Sequence, residues 1–290
     1  MSYSPKVAIL MAVYNGSEYI DEQIASILSQ QYVDLTVFIS IDRSVDDSYL
    51  KCRGWAESDP RIILLKYGER FGSAGRNFFH LINSVSLDDF DYVAFSDQDD
   101  IWLPGKLARG ISLMKSCSYD AYSSNVIAFW PSNRVKLIDK AQEQTHQDFY
   151  YEAAGPGCTY ILKKVVLQKI KDDCLCVESS DIKVELHDWL LYACARANNY
   201  KWFIDPKPSL LYRQHDANVM GANSGLRVFF KRISMIFDGW YLSQVHELQI
   251  ILKHQPEKMG FMRLISGGVF TLRRRKMESL ILAIILFIHK

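Results

Sequence analysis

In the first hundred residues, mostly apolar runs typical of buried strands are separated by other segments, the first of which has the apolar spacing of a helix. The runs are Lys6–Tyr14, Leu35–Ile41, Arg61–Tyr67 and Tyr92–Phe95. Between the first two, apolar residues recur every three or four positions from Tyr19 to Gln30, which predicts a helix with one buried face. Such alternation is typical of an α/β fold, in which a largely parallel sheet is flanked by helices.

The second half of the chain follows this alternation less clearly. Ala121–Trp130 and Gly157–Lys164 have the composition of strands, whereas His187–Ala197 has that of a helix. The composition changes near Asn218–Ser224. We therefore expect one domain over residues 1–223, followed by a C-terminal tail.

The tail, residues 224–290, combines basic and apolar segments. Leu226–Phe237 mixes aromatic residues with three cations, and the basic run Arg273–Lys276 precedes the apolar run Leu280–Ile288. Because a spanning helix needs roughly 20 apolar residues, this last run is too short to cross a bilayer. The tail is expected to be helical, and either to lie in an anionic membrane surface or to pack on protein.

Composition and charge narrow the class of protein. Apolar residues make up 49% and charged residues 23%, as in an ordinary folded domain. The net charge of +1 argues against a nucleic-acid partner, which would require a strong basic field. The six cysteines form no CxxC pair, which predicts reduced thiols. The first apolar run is short and lacks a cleavage site, so we expect a cytoplasmic protein.

Three unusual polar groups follow the predicted strands. Asp42 comes after the second strand, Arg76 after a glycine-bearing loop that follows the third, and the acidic cluster Asp97–Asp100 directly after the fourth. In open parallel sheets, ligands bind beyond the carboxyl ends of the strands. These residues are therefore expected to share one cleft.

The acidic cluster is the strongest chemical signal among them. Asp97, Asp99 and Asp100 lie within four residues, so their charges repel one another unless a cation or strong hydrogen-bond donors offset them. A D-x-D pair at a strand end suits Mg²⁺ or Mn²⁺, which prefer oxygen ligands. A solvated acidic turn before the next helix is the alternative, and the pair alone does not decide between them.

The sequence around this cluster resembles a known family. Tyr92–Leu107 (YVAFSDQDDIWLPGKL) is similar to the metal-binding segment of family-2 glycosyltransferases, and most similar to that of the bacterial rhamnosyltransferases among them. Other segments within residues 6–223 also resemble the family, and they follow one another in the order found in its members. They are Ala12–Asn15 (AVYN), Tyr19–Gln30, Ile39–Ser48 (ISIDRSVDDS), Gly72–Asn77 (GSAGRN), His187–Trp189 (HDW) and Tyr212–His215 (YRQH).

The resemblance implies a single A-type glycosyltransferase domain with a mainly parallel central sheet. Its nucleotide-binding part would cover about 1–115 and its acceptor part about 116–223. The implied reaction is metal-dependent and inverting, and it transfers L-rhamnose from dTDP-β-L-rhamnose to a lipid-linked oligosaccharide of a bacterial surface polysaccharide such as O-antigen. The enzyme would then be peripheral on the inner face of the inner membrane.

Three alternatives remain open at this point. A UDP-hexose donor fits the same motifs. A nucleotidyltransferase shares the strand-end carboxylates and the metal, although it is expected to carry a glycine-rich basic loop where this chain has Tyr14–Glu18. A non-catalytic binding protein is the third.

Donor-side roles follow from the resemblance. Asp99 is the metal ligand nearest the donor diphosphate, Asp97 assists it, and His215 reaches the metal. Asp42 accepts a hydrogen bond from the pyrimidine, as a carboxylate can from uracil or thymine. Ala12 and Tyr14 would line the base site; Tyr14 as a core aromatic is the alternative.

The remaining roles concern the diphosphate and the acceptor. Arg76 would bind a phosphate at a helix N-terminus, with a surface salt bridge as the alternative. Asp188 matches the catalytic base, and Trp189 and Arg213 are expected on the acceptor and sugar side. A core position is the alternative for Trp189. The sequence departs from the family at Ile41 and Arg43, which leaves the ribose contacts open.

Overall fold

The computed structural model describes residues 3–175, 183–215, 239–253 and 268–288. Its strands are β1 (Lys6–Val13), β2 (Asp34–Ile41), β3 (Ile62–Leu64), β4 (Tyr92–Ser96), β5 (Ile101–Trp102), β6 (Ala121–Ser124), β7 (Val126–Phe129), β8 (Val135–Ile138), β9 (Ile161–Lys163), β10 (Trp202–Asp205) and β11 (Leu210–Arg213). Its α-helices are α1 (Ile20–Leu28), α2 (Ser48–Ser58), α3 (Ala74–Ser84), α4 (Lys106–Ser116), α5 (Lys164–Cys174), α6 (His187–Ala197), α7 (Trp240–Leu252) and α8 (Lys276–Ile288).

Seven strands form the main sheet in the order β10-β6-β9-β4-β1-β2-β3. All neighbours are parallel except β9, which runs antiparallel to β4 and β6. β1 lies between β2 and β4 and is buried on both faces after its first residue, which explains its continuous apolar run. The predicted α/β fold with a mainly parallel sheet is confirmed.

The register of the central strands brings their polar ends together. In β1, Val13 pairs with Ile41 of β2, and Met11 pairs with Ser96 of β4. The loops that carry Tyr14, Asp42 and Asp97 therefore leave the sheet side by side. This is the edge at which the sequence predicted one cleft.

A second sheet covers this edge, in the order β5-β11-β7-β8. It exists because the predicted strand Ala121–Trp130 is divided at Asn125 into β6 and β7, which belong to different sheets. The Asn125 side chain donates to Asp139 and the Pro206 carbonyl and accepts from the Lys140 N–H, at 2.9, 3.0 and 2.7 Å. These partners are distant in sequence, so the division was not predictable locally.

The described part of the tail packs on α6. Leu248 of α7 and Leu282 of α8 belong to the same buried cluster as Leu190 and Leu191 of α6. Tyr241 stacks on Trp189, with ring centroids 5.5 Å apart, and donates a hydrogen bond to the Tyr151 carbonyl. The helical tail that the sequence predicted is present in this part.

Its basic run is only partly exposed. The Arg274 side chain is fully buried and pairs with Asp148 at 2.9 Å and Glu152 at 3.2 Å. Of the two expectations for the tail, Arg274 follows packing on protein, whereas Arg275 and Lys276 are exposed. No helix of the described ranges is long and apolar enough to span a bilayer. Leu226–Phe237 and the boundary at Asn218–Ser224 lie outside the described residues.

Candidate active site

The loop after β1 is fixed by Gln98, a residue of the acidic motif that the sequence did not mark. Gln98 accepts from the Tyr14 N–H at 2.6 Å and donates to the Tyr14 carbonyl at 2.9 Å. A Cβ on Gly16 would lie 2.4 Å from Gln98 Oε1, so only glycine fits beside this amide. The Tyr14 side chain itself is 54% exposed. The tyrosine is therefore held by its backbone while its ring stays accessible in the cleft.

Asp42 anchors the loop that leads to α3. Its two carboxylate oxygens accept from the N–H groups of Phe71 and Gly72 at 3.0 and 2.8 Å, and the residue is buried. Each carboxylate oxygen has a second lone pair, so both can accept a further bond. Ala12, near the end of β1, is buried opposite Ser40 of β2. These residues form the floor at the end of β1 and β2.

Arg76 lies in the first turn of α3, where its N–H bonds the capping Ser73 hydroxyl at 3.2 Å. The arginine is exposed, and within the part of the chain that the structure describes its guanidinium has no carboxylate at salt-bridge distance. The surface salt bridge considered as its alternative is therefore not formed there. A cation beside free helix N–H groups is suited to an anion.

The acidic cluster divides into an inner and an outer part. Asp100 is fully buried, with Oδ1 accepting from the Arg213 N–H at 3.2 Å and Oδ2 without a partner in the described residues. Asp97 is half-buried, and burial with the neighbouring charges of Asp99 and Asp188 raises its pKa to about 7. The charges of Asp97 and Asp188 are close enough to repel each other, so these two carboxylates lie around the same cleft.

His215 and Asp99 are brought together from the two ends of the domain. His215 Nε2 lies 2.8 Å from Asp99 Oδ2, and the imidazole stacks on Tyr19 with centroids 5.0 Å apart. With Asp97, they offer two carboxylates and an imidazole, a donor set that suits Mn²⁺ or Mg²⁺. The mutual repulsion of Asp97 and Asp99 is the feature that a divalent cation would offset. Asp99 and His215 therefore suit a metal by their contact, and Asp97 suits it by its residue type.

A second group of possible ligand atoms fits a metal less well. Asp97, Asp100 and Cys158 have their ligand atoms within 4.8 Å of one another. However, burial and the adjacent carboxylates raise the pKa of the Cys158 thiol well above its usual range, so the thiol remains protonated. The thiolate is the form that binds metals, so a protonated thiol is a poor ligand.

Lys106 is a further buried residue that the sequence did not mark. Its Nζ donates to the Cys158 carbonyl at 2.7 Å and lies 3.3 Å from the centre of the Trp102 ring. Burial lowers its pKa to about 7, while the charges of Asp100 and Asp97 act in the opposite direction. Lys106 therefore ties the acidic motif to the loop that carries Cys158.

Asp188 lies in the first turn of α6. Its Oδ1 accepts from the Trp189 N–H at 2.8 Å, and burial raises its pKa to about 6. Gly157 packs so closely that an added Cβ would lie 3.0 Å from the Asp188 Cβ. A carboxylate with this pKa is ionised at neutral pH and basic enough to accept a proton.

The neighbours of Asp188 are structural. His187 stacks on Phe78 at 3.9 Å, and burial lowers its pKa to about 3, so the ring is neutral. Trp189 is 3% exposed and donates from Nε1 to the Phe149 carbonyl at 3.1 Å. The structure thus favours the core alternative for Trp189, which holds α6 in place instead of lining an open sugar site.

Arg213 lies at the metal side of the cleft. Its Nε donates to the Asp99 carbonyl at 2.9 Å, its Nη2 pairs with Glu22, and its guanidinium lies over the rings of Tyr19 and Phe129. These contacts fix the backbone of the metal motif. A role for Arg213 on the acceptor and sugar side stays a prediction.

Comparisons with known proteins agree with this geometry. The chain is 41% identical to dTDP-rhamnosyl transferase RfbG of Shigella flexneri over 287 residues, which cover 96% of this chain and 99% of the relative. It is 31% identical over 163 residues, 56% of this chain and 61% of the relative, to the UDP-Glc:alpha-D-GlcNAc-diphosphoundecaprenol beta-1,3-glucosyltransferase WfgD of Escherichia coli.

A similar fold is known from S. aureus TarS, residues 1–349, in a crystal structure with UDP-GlcNAc. The two superpose with a TM-score of 0.57 at 17% identity, covering 96% of this chain and 79% of the other. The family model described as glycosyl transferase family 2 matches residues 8–170. These comparisons, which agree with the carboxylates at the strand ends, establish that the chain is a glycosyltransferase and belongs to glycosyl transferase family 2.

Proposed function

We propose that the enzyme transfers L-rhamnose from dTDP-β-L-rhamnose to a hydroxyl of a lipid-linked oligosaccharide, in the assembly of a bacterial surface polysaccharide such as O-antigen. The observation that carries the donor assignment is the 41% identity to dTDP-rhamnosyl transferase RfbG over 99% of that protein. Inversion at the anomeric carbon would give an α-rhamnosyl product.

The donor nucleotide occupies the end of β1 and β2 in this proposal. The exposed ring of Tyr14 stacks on the base, and Asp42, already oriented by two backbone donors, accepts from the thymine N–H. Arg76 binds the diphosphate at the N-terminus of α3. The support is that Tyr14 and Arg76 are exposed while their backbones are fixed.

Asp97, Asp99 and His215 would hold Mg²⁺ or Mn²⁺ beside the diphosphate. When bound, such a cation stabilises the charge that develops on the leaving dTDP. Arg213 and Gln98 keep the loop that carries these ligands in place through the Asp99 carbonyl and the Tyr14 backbone.

Asp188 acts as the general base. Its carboxylate takes the proton of the acceptor hydroxyl while that oxygen forms a bond to the anomeric carbon, and the bond from that carbon to the dTDP oxygen breaks on the opposite face. The proton ends on Asp188 and the electron pair on the diphosphate. The pKa of about 6 supports this role, because the base is ionised at neutral pH.

A UDP-hexose donor is the second candidate. It is favoured by the 31% identity to the UDP-Glc-dependent WfgD, which covers 56% of this chain. Asp42 accepts equally from uracil and thymine, so the base contact does not separate the two. The broader coverage by the rhamnosyl relative is the reason for placing it first.

The acceptor's lipid would keep the enzyme at the cytoplasmic face of the membrane. One side of α8 supports this, because Met277, Ile281 and Ile284 form an apolar stripe that is 70, 43 and 48% exposed. Arg275 and Lys276 lie exposed at its start and suit anionic headgroups. Flotation with anionic vesicles tests this. We expect Met277→Ser/Ile281→Ser to weaken binding, and unchanged flotation would reject it.

The donor is tested by transfer and by binding. We expect dTDP-β-L-rhamnose to raise the melting temperature and to be turned over, since a ligand that binds the native state stabilises it. UDP-glucose and UDP-galactose serve as matched donors. Preferential turnover of either UDP sugar would move the assignment to the second candidate.

A further inference from the structure

A cluster of cations surrounds Asp148, Glu152 and Glu278, and among the described residues all but one of these cations form an ion pair with a carboxylate. Arg274 pairs with Asp148 and Glu152, and Arg196 pairs with Asp148. Arg273 lies within 3.6 Å of Glu152 and 3.4 Å of Glu278, and Arg275 within 3.7 Å of Glu278. The four arginines therefore account for the acidic side chains of this cluster.

Lys140 is the cation that remains. Its backbone N–H bonds Asn125, but its ammonium donates no hydrogen bond and forms no ion pair within the described ranges of the chain. The side chain is half-buried, and burial together with the charges of Arg273 and Arg274 lowers its pKa to about 8, while the charges of Glu152 and Glu278 act in the opposite direction. A half-buried cation without a directly bound partner is unfavourable. A ligand that supplies negative charge would offset this cost.

The lysine and the base are held against the same loop. A Cβ on Gly155 would lie 3.5 Å from Lys140 Cβ, and one on Gly157 would lie 3.0 Å from Asp188 Cβ. The two glycines belong to one short loop, so Lys140 and Asp188 approach the same segment of backbone. The charge of Lys140 also acts on Asp188, where it opposes the effect of burial on the pKa. The ammonium consequently lies on the base side of the cleft.

From this arrangement we infer that Lys140 binds a phosphate group of the acceptor, namely the diphosphate that joins the acceptor's glycan to its lipid. The inference rests on the proposed function, because it takes Asp188 as the base that marks the acceptor side. The donor diphosphate is assigned elsewhere, to Arg76 and the Asp97–Asp99 motif. Arg275, which donates to the Asp139 carbonyl at 2.7 Å, adds positive charge next to Lys140.

Binding of a simple lipid diphosphate tests the site without turnover. The probe is geranyl diphosphate, titrated calorimetrically with the donor site saturated by dTDP and Mn²⁺. We expect Lys140→Met to weaken its binding about 10-fold or more, the scale of one missing charge-assisted hydrogen bond. Lys140→Arg should retain most of the affinity. Lys136→Met, an exposed lysine on the preceding strand, is the matched control.

Transfer to paired acceptors provides the second measurement. One acceptor carries the oligosaccharide on a lipid diphosphate, and the other carries it as a neutral alkyl glycoside. We expect Lys140→Met to raise KM about 10-fold for the first acceptor only. At a pH well above the pKa of Asp188, where the base is ionised with or without the Lys140 charge, both kcat and the donor KM should stay unchanged, because the ammonium binds the acceptor phosphate equally in the ground state and in the transition state.

Three results would overturn the inference. The first is that geranyl diphosphate does not bind the parent protein, and the second is that it binds Lys140→Met as tightly as the parent. The third is a Lys140→Met variant that keeps the parent KM for both acceptors and changes only kcat, equally for both, which would make Lys140 a residue that tunes Asp188. A parent that binds geranyl diphosphate but does not use dTDP-rhamnose would reject the proposed donor and leave this site standing.

Discussion

Gln98 bonds both main-chain polar groups of Tyr14, with its Oε1 2.6 Å from the tyrosine nitrogen and its Nε2 2.9 Å from the carbonyl oxygen. The residue between Asp97 and Asp99 is therefore the one that fixes the loop carrying Tyr14. In the proposed function, this amide would connect metal binding with nucleotide binding.

Replacing this amide tests the connection. Gln98→Met keeps the length of the side chain but removes both bonds, so we expect a loss of about 1–3 kcal/mol in unfolding free energy. Affinity for dTDP should fall as well, because the loop that presents Tyr14 is released. Gln98→Glu retains the acceptor but places a carboxylate oxygen against the Tyr14 carbonyl and a further charge beside Asp97 and Asp99, so it should lose at least as much. Calorimetric titration and urea unfolding measure both effects, and unchanged dTDP affinity in Gln98→Met would contradict them.

The pattern of apolar and polar residues along the sequence was sufficient to predict the central sheet. β1, β2 and β4 are long or fully buried strands whose residues are almost all apolar, and the predicted helix His187–Ala197 has the observed bounds. The division at Asn125 was missed because it depends on Asp139 and Pro206, which approach only in the folded chain.

The site was predictable to a smaller extent. Asp99 and His215 are 116 residues apart and were connected only through the family resemblance. Lys106 gave no signal, because a lysine at the start of a helix is ordinarily exposed. Its burial arises from Trp102 and the Cys158 carbonyl, which no local periodicity reveals.

Metal dependence is the second prediction. Asp97 and Asp99 repel each other without a cation, so we expect chelation by EDTA to abolish transfer and Mn²⁺ or Mg²⁺ to restore it. Asp99→Asn should lower the rate about 100-fold or more, since it removes a ligand beside the leaving diphosphate. Asp89→Asn, an exposed aspartate before β4, is the control. Full single-turnover transfer by metal-stripped enzyme would disprove the dependence.

The third prediction concerns pH. Burial raises the pKa of Asp188 to about 6, so the base is protonated below that pH and ionised above it. We expect the rate to fall about 10-fold per pH unit on the acid side of this value and to level off above it. Initial rates with saturating metal and donor measure the profile. Asp188→Asn should lose turnover and keep its affinity for dTDP, and its residual rate should not fall on the acid side. If the acid-side fall of the rate persists in this variant, another group is responsible for it.

The last prediction concerns the ion pairs of the tail. Arg274 is fully buried and contacts Asp148, Glu152 and the Ala153 carbonyl, whereas the side chain of the adjacent Arg275 is 48% exposed. Arg274→Met leaves two buried carboxylates short of a partner, so we expect a loss of about 3–5 kcal/mol in unfolding free energy. Arg275→Met should change it by less than about 0.5 kcal/mol. Urea unfolding of both variants measures the difference. Equal, small losses of unfolding free energy in the two variants would mean that the basic run does not pack on the domain and remains available to lipid. A large loss in Arg274→Met alone would mean that the tail is a structural part of the domain.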